Sequence, residues 1–392
     1  MANENQKNEK LPRNISQVEI AHSTAGRDIT RGFVDPMLVE ANPDSVLNSR
    51  GRDLQVYEEI KRDSQVISGL SQRFESVVQA EYRVEPGGTA AVDAEAAEFA
   101  QQQLDALGWD NVTSKMLWGR FYGYGVAELL WAPVEGGRWG WSAIKVRNRR
   151  RFGFRPNGEL RLLTFDQPLV GEPAPAPYFW HYQTGDDHDD NHYGLGLGHW
   201  LYWPVFFKRH DIKYWAVFVE KFAAPTVVGQ FEEGATDDDR ARLLAAARSV
   251  GIDAAVVHPS DMSLELIEAA RSGTGASNYK ELHDVMDRSI SKIILGQTMT
   301  TDDGSSRSQA QVHMSVRQDL VKADSDLINE SFRCGPLTWL TRYNFPTAQV
   351  PMLVRDIDPP EDQDLASQRD ERLHGMGWSL TEEQATGDEL AS

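Results

Sequence analysis

The chain has 392 residues, past the roughly 250–300 at which one hydrophobic core stops growing, so two or more sub-domains are expected. Its formal net charge of −19 argues against a free-standing DNA binder, which carries a basic surface. The single cysteine, Cys334, excludes an internal disulfide and a cysteine-rich zinc site, and reads as a buried structural thiol in a reducing compartment. The first residues lack the apolar core of a signal peptide, and no run of about 18 apolar residues suggests a membrane span.

Residues 1–44 are polar and weakly periodic and read as an arm. Asn42-Pro43-Asp44-Ser45 is a cap signal, and apolar positions from Leu54 to Phe74 predict one or two helices. Ser76–Val84 alternates apolar and polar residues and predicts a strand ended by Pro86-Gly87-Gly88. Ala90–Leu107 predicts a helix, and Val112–Arg120 continues helical. Val126–Trp131 and Arg138–Val146 predict a hairpin about Glu135-Gly136-Gly137.

The next block, to Tyr182, is turn-rich with short strands at Phe152–Phe154, Leu160–Phe165 and Tyr178–Tyr182, and reads as a small β-rich insertion. It is locally basic: Trp141–Phe165 holds seven Lys and Arg residues against one acid, Glu159. Arg147, Arg149, Arg150 and Arg151 form its densest part, a patch for phosphate or for an acidic neighbouring protein. The opposite bias lies at Arg355–Ser392, with eleven acids against three arginines.

Gly194, Gly196 and Gly198 then read as a flexible turn or hinge, because they lack the spacing of a dinucleotide loop. An aromatic helix follows from Leu201 to Phe222, interrupted by Lys208, Arg209, His210, Asp211 and Lys213. Trp200, Trp203 and Trp215 fit core or subunit contacts better than base stacking. Pro225 breaks the helix ahead of the β-branched run Thr226-Val227-Val228. Thr236–Asp239 caps a helix to Val250, and strands are expected at Ala254–His258 and Leu264–Ile267.

Two long amphipathic helices follow. Ser277–Leu295 places Leu282, Val285, Met286, Ile290, Ile293 and Ile294 on one face. Gln309–Phe332 repeats the pattern with Val312, Val316, Leu320, Leu327, Ile328 and Phe332. Between them lies a polar loop of about a dozen residues, long enough to imply function or mobility. A short helix and strand are expected within Trp339–Leu353.

Catalytic motifs are absent. There is no Gly-Lys pair for a phosphate loop, no zinc-protease helix and no Gly-x-Ser-x-Gly elbow. Asp186–His192 collects possible metal ligands but reads as an exposed acidic loop. His283 and His313 read as core or interface histidines rather than general bases. No catalytic residue, metal or cofactor is expected.

Three stretches carry a family resemblance: Ala80–Gly88, His192–Phe231 and Ser291–His313. In this order they are similar to the Mu-type portal proteins of tailed phages, over roughly Ser45 to Leu373. The resemblance implies an α+β portal fold and a non-enzymatic role. Copies would form a closed ring of about twelve subunits at a capsid vertex, with double-stranded DNA passing through the channel. Partners would be the terminase large subunit, the major capsid protein and head–tail adaptor proteins, with no membrane. The protein would sit in the virion after assembly in the bacterial host cytoplasm. The implied division is an arm (1–44), a wing in two parts (45–140 and 225–276), a clip (141–192), a stem (193–224), tunnel helices and loop (277–333) and a reduced crown (334–392). The implied DNA-facing loop holds Gln297, Thr298, Thr300, Thr301, Asp302, Asp303, Ser305 and Arg307. Lys208, Arg209 and Lys213 fall in the stem, and Arg147 and Arg149–Arg151 in the clip. Two other readings stay open: a metal-dependent nucleic-acid-processing enzyme using Asp186–His192, and a capsid or baseplate scaffold that never meets DNA.

Overall fold

The computed structural model describes residues 35, 37–50, 54–222, 226–230, 234, 236–250, 263–267, 274–297 and 307–357. The cap signal opens α1 (Ser45–Arg50): Asp44 Oδ1 accepts from the Val46 amide at 2.9 Å. Next come α2 (Gln55–Ile60) and α3 (Ser64–Gln79), the latter capped by Asp63, which accepts from the Gln65 and Val66 amides. The strand expected from Ser76 begins only at β1 (Tyr82–Glu85). Val77 is buried one turn beyond Phe74 and Arg73, so core packing on a helical period overrides the local alternation.

The helices α4 (Ala91–Leu107), α5 (Trp109–Met116) and α6 (Gly119–Tyr122) lead into the hairpin of β2 (Tyr124–Pro133) and β3 (Trp139–Arg147). Three short strands follow, β4 (Phe152–Phe154), β5 (Leu160–Leu162) and β6 (Glu172–Pro173), then β7 (Phe179–Gln183). The long helix α7 (Leu197–Phe222) precedes β8 (Thr226–Gln230), α8 (Asp237–Val250) and β9 (Ser263–Ile267). The chain continues as α9 (Thr274–Leu295), α10 (Arg307–Phe332), a π-helical turn at Arg333–Leu337, α11 (Thr338–Asn344) and β10 (Met352–Arg355). The strand expected at Ala254–His258 lies outside the described residues, and α9 begins three residues earlier than the expected Ser277.

All strand pairs among the described residues are antiparallel. β1 pairs with β10, which ties the C-terminal part of the described chain to α3 and α4. β2 is the centre of a sheet ordered β3–β2–β7, and β4–β5–β6 form a second small sheet. The segment 141–192 is therefore not a detached insertion. Its last strand, β7, pairs with β2, and Trp180 on β7 lies 6.0 Å from the Trp109 ring and 5.0 Å from Phe332 in the main core. The alternation of His181 and Trp180 along β7 serves two faces, one toward the small sheet and one toward α10. No helix among the described residues is long and apolar enough to cross a membrane.

One buried ion pair ties three helices together. Arg73 of α3 donates from Nε and Nη2 to both carboxylate oxygens of Asp324 on α10, at 2.5 and 2.8 Å. Its Nη1 donates to the carbonyl of Ile294 in the last turn of α9, at 2.6 Å. That carbonyl has no partner within its own helix, so the guanidinium closes a helix end as well as an ion pair. Arg120 Nε approaches Asp324 Oδ1 at 3.3 Å and supplies a second positive charge. Removing one partner of a buried pair strands the other. Asp324→Ala is therefore expected to lower unfolding free energy by about 3–5 kcal/mol in denaturant titrations, and a loss below about 1 kcal/mol would refute the structural weight given to it.

His181 packs between the rings of Phe154 (4.7 Å) and Tyr124 (6.2 Å). Burial pushes its imidazole down to about 4, with neighbouring His192 adding to the effect. The folded state thus refuses a proton that the unfolded chain accepts. Stability supplied by neutral His181 is complete above about pH 6.5 and is lost as pH falls toward 4, by up to about 3 kcal/mol. Urea midpoints of His181→Gln should show a shallower acid limb than the parent; parallel limbs would contradict this.

Candidate functional site

The base of α7 is locked rather than flexible. Gly194 takes φ 63°, and a Cβ there would overlap the carbonyl oxygens of Gly123 and Thr184. A Cβ on Gly196 would overlap the Phe121 carbonyl. These glycines permit two backbones to touch, which replaces the hinge reading with a clamp. Asp44 finishes it, accepting from Tyr57 Oη and lying 2.8 Å from His199 Nδ1.

Along α7 a buried stripe and an exposed apolar stripe run side by side. Leu201 and Val205 are buried together with Lys208 and Asp211. The helix packs on α2, α6 and α9. Trp200, Trp203, Phe207, His210, Tyr214 and Val217 recur at alternating intervals of three and four and are exposed. Exposure reaches 56% at Trp200, 52% at Trp203 and 59% at Tyr214. Trp203 and Phe207 stack at 5.9 Å. That spacing is the heptad seam by which one helix packs on another. Trp200 and Trp203 are thus not core residues, and Trp215 is half-buried. Beside the seam, a groove of about 290 Å³ between α2 and α7 is lined by Val56, Ile60, Tyr202, Val205, Phe206 and His210. Of the cations expected in a stem, Lys208 is buried, Arg209 donates to the Glu59 carbonyl and Lys213 is exposed.

α9 ends at Gly296, whose φ of 71° turns the chain while its amide bonds to the Lys292 carbonyl at 3.0 Å. Gln297 is buried just beyond it. Thr298, Thr300, Thr301, Asp302, Asp303 and Ser305 lie outside the described residues, as does the side chain of Arg307 at the start of α10. The expected inner face of α9 is half right: Ile290 and Ile294 are buried, while Leu282 and Val285 are exposed. On α10, Ile328 and Phe332 are buried and Val316 and Leu327 are exposed. Both helices bury part of the apolar face and leave other apolar residues of it open.

The basic cluster divides in two. Arg147 pairs with Glu128 across the hairpin at 2.6 Å. The Arg149 guanidinium lies 4.1 Å from the Tyr122 ring, donates from Nε to the Tyr124 carbonyl, and has its pKa pushed down by burial. Burial alone would raise the nearby Glu58 carboxyl, but the Tyr122 hydroxyl and Lys61 hold it below the usual carboxylate range. Arg150 and Arg151 are exposed. Arg155 and Arg161 both pair with Glu159, at 3.0 and 2.6 Å. The exposed part of the patch is thus smaller than the run of arginines suggests.

Asp186, Asp187 and His188 do come together, with His188 Nε2 at 3.8 and 3.9 Å from the two carboxylates. Asp187 and His188 are exposed, and Asp186 accepts from Asn191 Nδ2, which makes this a loop organised by its own hydrogen bonds. Cys334 is exposed, against the expectation of a buried thiol. It sits in the π-helical turn after buried Phe332 and donates to Glu330. Arg333 holds Glu330 down to about 2, and Glu330 in turn pushes the thiol up. Sequence reasoning missed Arg73, Asp63 and Asp324; only Asp63, in a cap position before a helix, carries a local signal.

A family model described as the portal protein of Mu bacteriophage matches residues 54–387. The portal protein of Escherichia phage Mu is 28% identical over 281 residues, which cover 67% of this chain and 52% of that protein. The Mu-like prophage FluMu protein gp29 of Haemophilus influenzae is 26% identical over 336 residues, covering 83% of this chain and 64% of that protein. The chain thus spans between half and two-thirds of the length of these curated relatives. Among solved structures, the neck of an empty gene transfer agent (GTA) particle with C6 symmetry aligns with a TM-score of 0.57 at 12% identity, over 85% of this chain and 91% of that one. The neck of the native particle with C12 symmetry aligns with a TM-score of 0.54 at 13% identity, over 88% and 92%. These likenesses show a shared α+β fold, and the family match covers most of the sequence: the chain belongs to the family of the portal protein of Mu bacteriophage.

Proposed function

We propose that this chain is the structural subunit of a portal ring, through which double-stranded DNA enters and leaves a phage-type particle. The family is a structural, non-enzymatic one, which leaves the acidic loop at Asp186–His188 without a catalytic role. The observation that carries the ring reading is the exposed heptad seam on α7. An apolar stripe of that length on a free subunit calls for a partner. In a ring of identical copies each subunit offers two different faces to its two neighbours. The seam of α7 supplies one face; the exposed Leu282 and Val285 on α9, with Leu327 on α10, supply the other.

In this reading α7 is the stem, and the segment after Gln297 turns toward the channel axis with its threonines, aspartates and Arg307. A net charge of −19 suits a conduit, because dense phosphate contacts would hold the duplex in place. The wing comprises 45–140 and 225–276, the tunnel element 277–333 and the reduced crown 334–392. The clip is narrowed to about residues 148–178, with β3 and β7 passing to the wing, whose sheet they share with β2. Its outward Arg150 and Arg151 are the residues offered to the terminase large subunit or to an acidic neighbour. The major capsid protein and head–tail adaptors complete the set of partners, and the ring resides at the virion vertex after assembly in the host cytoplasm.

Replacing both Trp203 and Phe207 with glutamate should abolish rings in negative-stain images while leaving a monomer with unchanged circular dichroism. Both side chains are exposed, so the expected effect on monomer stability is below about 0.5 kcal/mol. Rings of normal diameter from this variant would sink the seam assignment. Exchanging residues 299–304 for a glycine-serine segment of equal length should keep rings intact and reduce packaged DNA by roughly tenfold or more. Normal packaging would remove the loop from the channel.

A further inference from the structure

The small sheet β4–β5–β6 has two unlike faces. Strand alternation puts Phe152, Phe154, Leu160 and Leu162 on one of them. There Phe154 packs on His181 at 4.7 Å and Phe152 on Phe179 at 5.7 Å, so this face looks toward the β3–β2–β7 sheet. Gly153 and Arg161 fall on the opposite face. A Cβ on Gly153 would overlap Val39 there. Arg161 donates from Nε to the Val170 carbonyl at 3.1 Å and from Nη2 to the Gly171 carbonyl at 2.6 Å. The strap at 37–40 and the turn at 163–171 therefore cover the second face, joined by the Val39 amide, which donates to the Leu169 carbonyl at 2.9 Å.

This cover ends in an apolar knob. Phe165 is fully exposed, and exposure is 68% at Leu169 and 59% at Met37. The turn that carries the knob is built from its own hydrogen bonds. The Gln167 amide donates to Thr164 Oγ1 at 3.3 Å, and that hydroxyl donates to Glu172 Oε1 at 3.0 Å. The Gly171 amide donates to the Gln167 carbonyl at 3.0 Å, with a φ of 65° at Gly171 that closes the turn. The charges that flank the knob in sequence are acidic: Asp35, Asp166 and Glu172 are all exposed.

The first face carries a matching hollow. A cavity of about 300 Å³ opens between the two sheets, lined by Phe152, Leu162 and Phe179 and edged by Glu128, Arg147 and Arg151. Glu128 and Arg147 neutralise one another at 2.6 Å. Exposed Arg151 then leaves the mouth positive, and exposed Lys145 lies two residues before Arg147 on the same side of β3. Knob and hollow are thus apolar at the centre and opposite in charge at the rim. The sheet between them keeps them apart in one copy, and a head-to-tail neighbour brings them together.

We propose that the 163–171 turn of one copy seats Phe165 in the hollow of the next, with Asp166 facing Arg151. The ring of Phe165 is the buried anchor, and the rim charges set its register. This contact rests on the reading of the chain as a subunit that packs head-to-tail on copies of itself, and it lies away from the α7 seam.

Photo-cross-linking of the full-length chain tests this, with Phe165 replaced by p-benzoylphenylalanine and the products read on denaturing gels and by peptide mapping. Because Phe165 is fully exposed, its replacement leaves the packing of the subunit intact. The expected product is a covalent dimer joining position 165 to a peptide that carries Phe152 or Phe179. Arg151→Glu in the same chain should lower the dimer yield by about tenfold or more, and adding Asp166→Arg should restore it to within about threefold. Dimers joined elsewhere, links within a single copy alone or no link at all overturn the proposal, as does a yield indifferent to Arg151→Glu. Electron micrographs of the same sample separate the two readings. Cross-links in the hollow without rings would uphold the contact and sink the ring; rings lacking those cross-links would do the reverse.

Discussion

Arg73 satisfies two needs with one guanidinium. It neutralises Asp324, which is wholly buried on α10, and it caps the carbonyl of Ile294 where α9 ends. The helices on either side of the polar segment are thereby held to the same residue of a third helix. Gly296 takes a positive φ two residues after the capped carbonyl. A polar segment needs such a rooted base if it is to occupy a definite place in an assembly. Buried ion pairs of this sort are weak as net stabilisers but strongly penalised when half-removed, which suits a position where geometry matters more than stability.

The same logic applies to α7. Its start is fixed by backbone contact among Gly123, Gly194 and Gly196, and by Asp44 holding Tyr57 and His199. Its middle is fixed by Lys208 between Asp63 and Asp287. With one stripe so constrained, the orientation of the other is determined, and six residues from Trp200 to Val217 point outward as a set. A rigid presentation reduces the entropy lost on association, since exposed rings on a mobile helix would have to be ordered first. Fold, clamp and seam are therefore links of one chain of cause: glycines bring backbones together, the helix emerges at one angle, and the apolar stripe faces a neighbour.

Much of this was legible in the residues. The cap before α1, the hairpin at Glu135–Gly137, the capped start of α8 and the length of the two late helices follow from local signals that tertiary structure did not override. What was hidden depended on partners distant in the chain. Both stripes of α7 carry large apolar residues, so periodicity alone could not say which one the subunit buries. Arg149 and Arg150 are adjacent and chemically identical, yet one stacks on Tyr122 and the other faces outward; only the path of the backbone after Asn148 separates them. Ser76–Gln79 alternates like a strand but extends α3, because Val77 packs with Phe74. The β-rich block read as an insertion, since nothing near Trp180 announces that its ring meets Trp109 and Phe332 from far apart in sequence.

In the proposed ring, α7 presents its outer stripe to a second copy while the chain beyond Gln297 turns inward to a common axis. A cryo-electron microscopy reconstruction of the assembled protein tests this most directly. The expected map places Trp203, Phe207 and Tyr214 against a helix of the adjacent subunit, with residues 298–306 lining an open pore wide enough for duplex DNA. A map with those rings in bulk solvent, or with 298–306 on the outer rim, would contradict it.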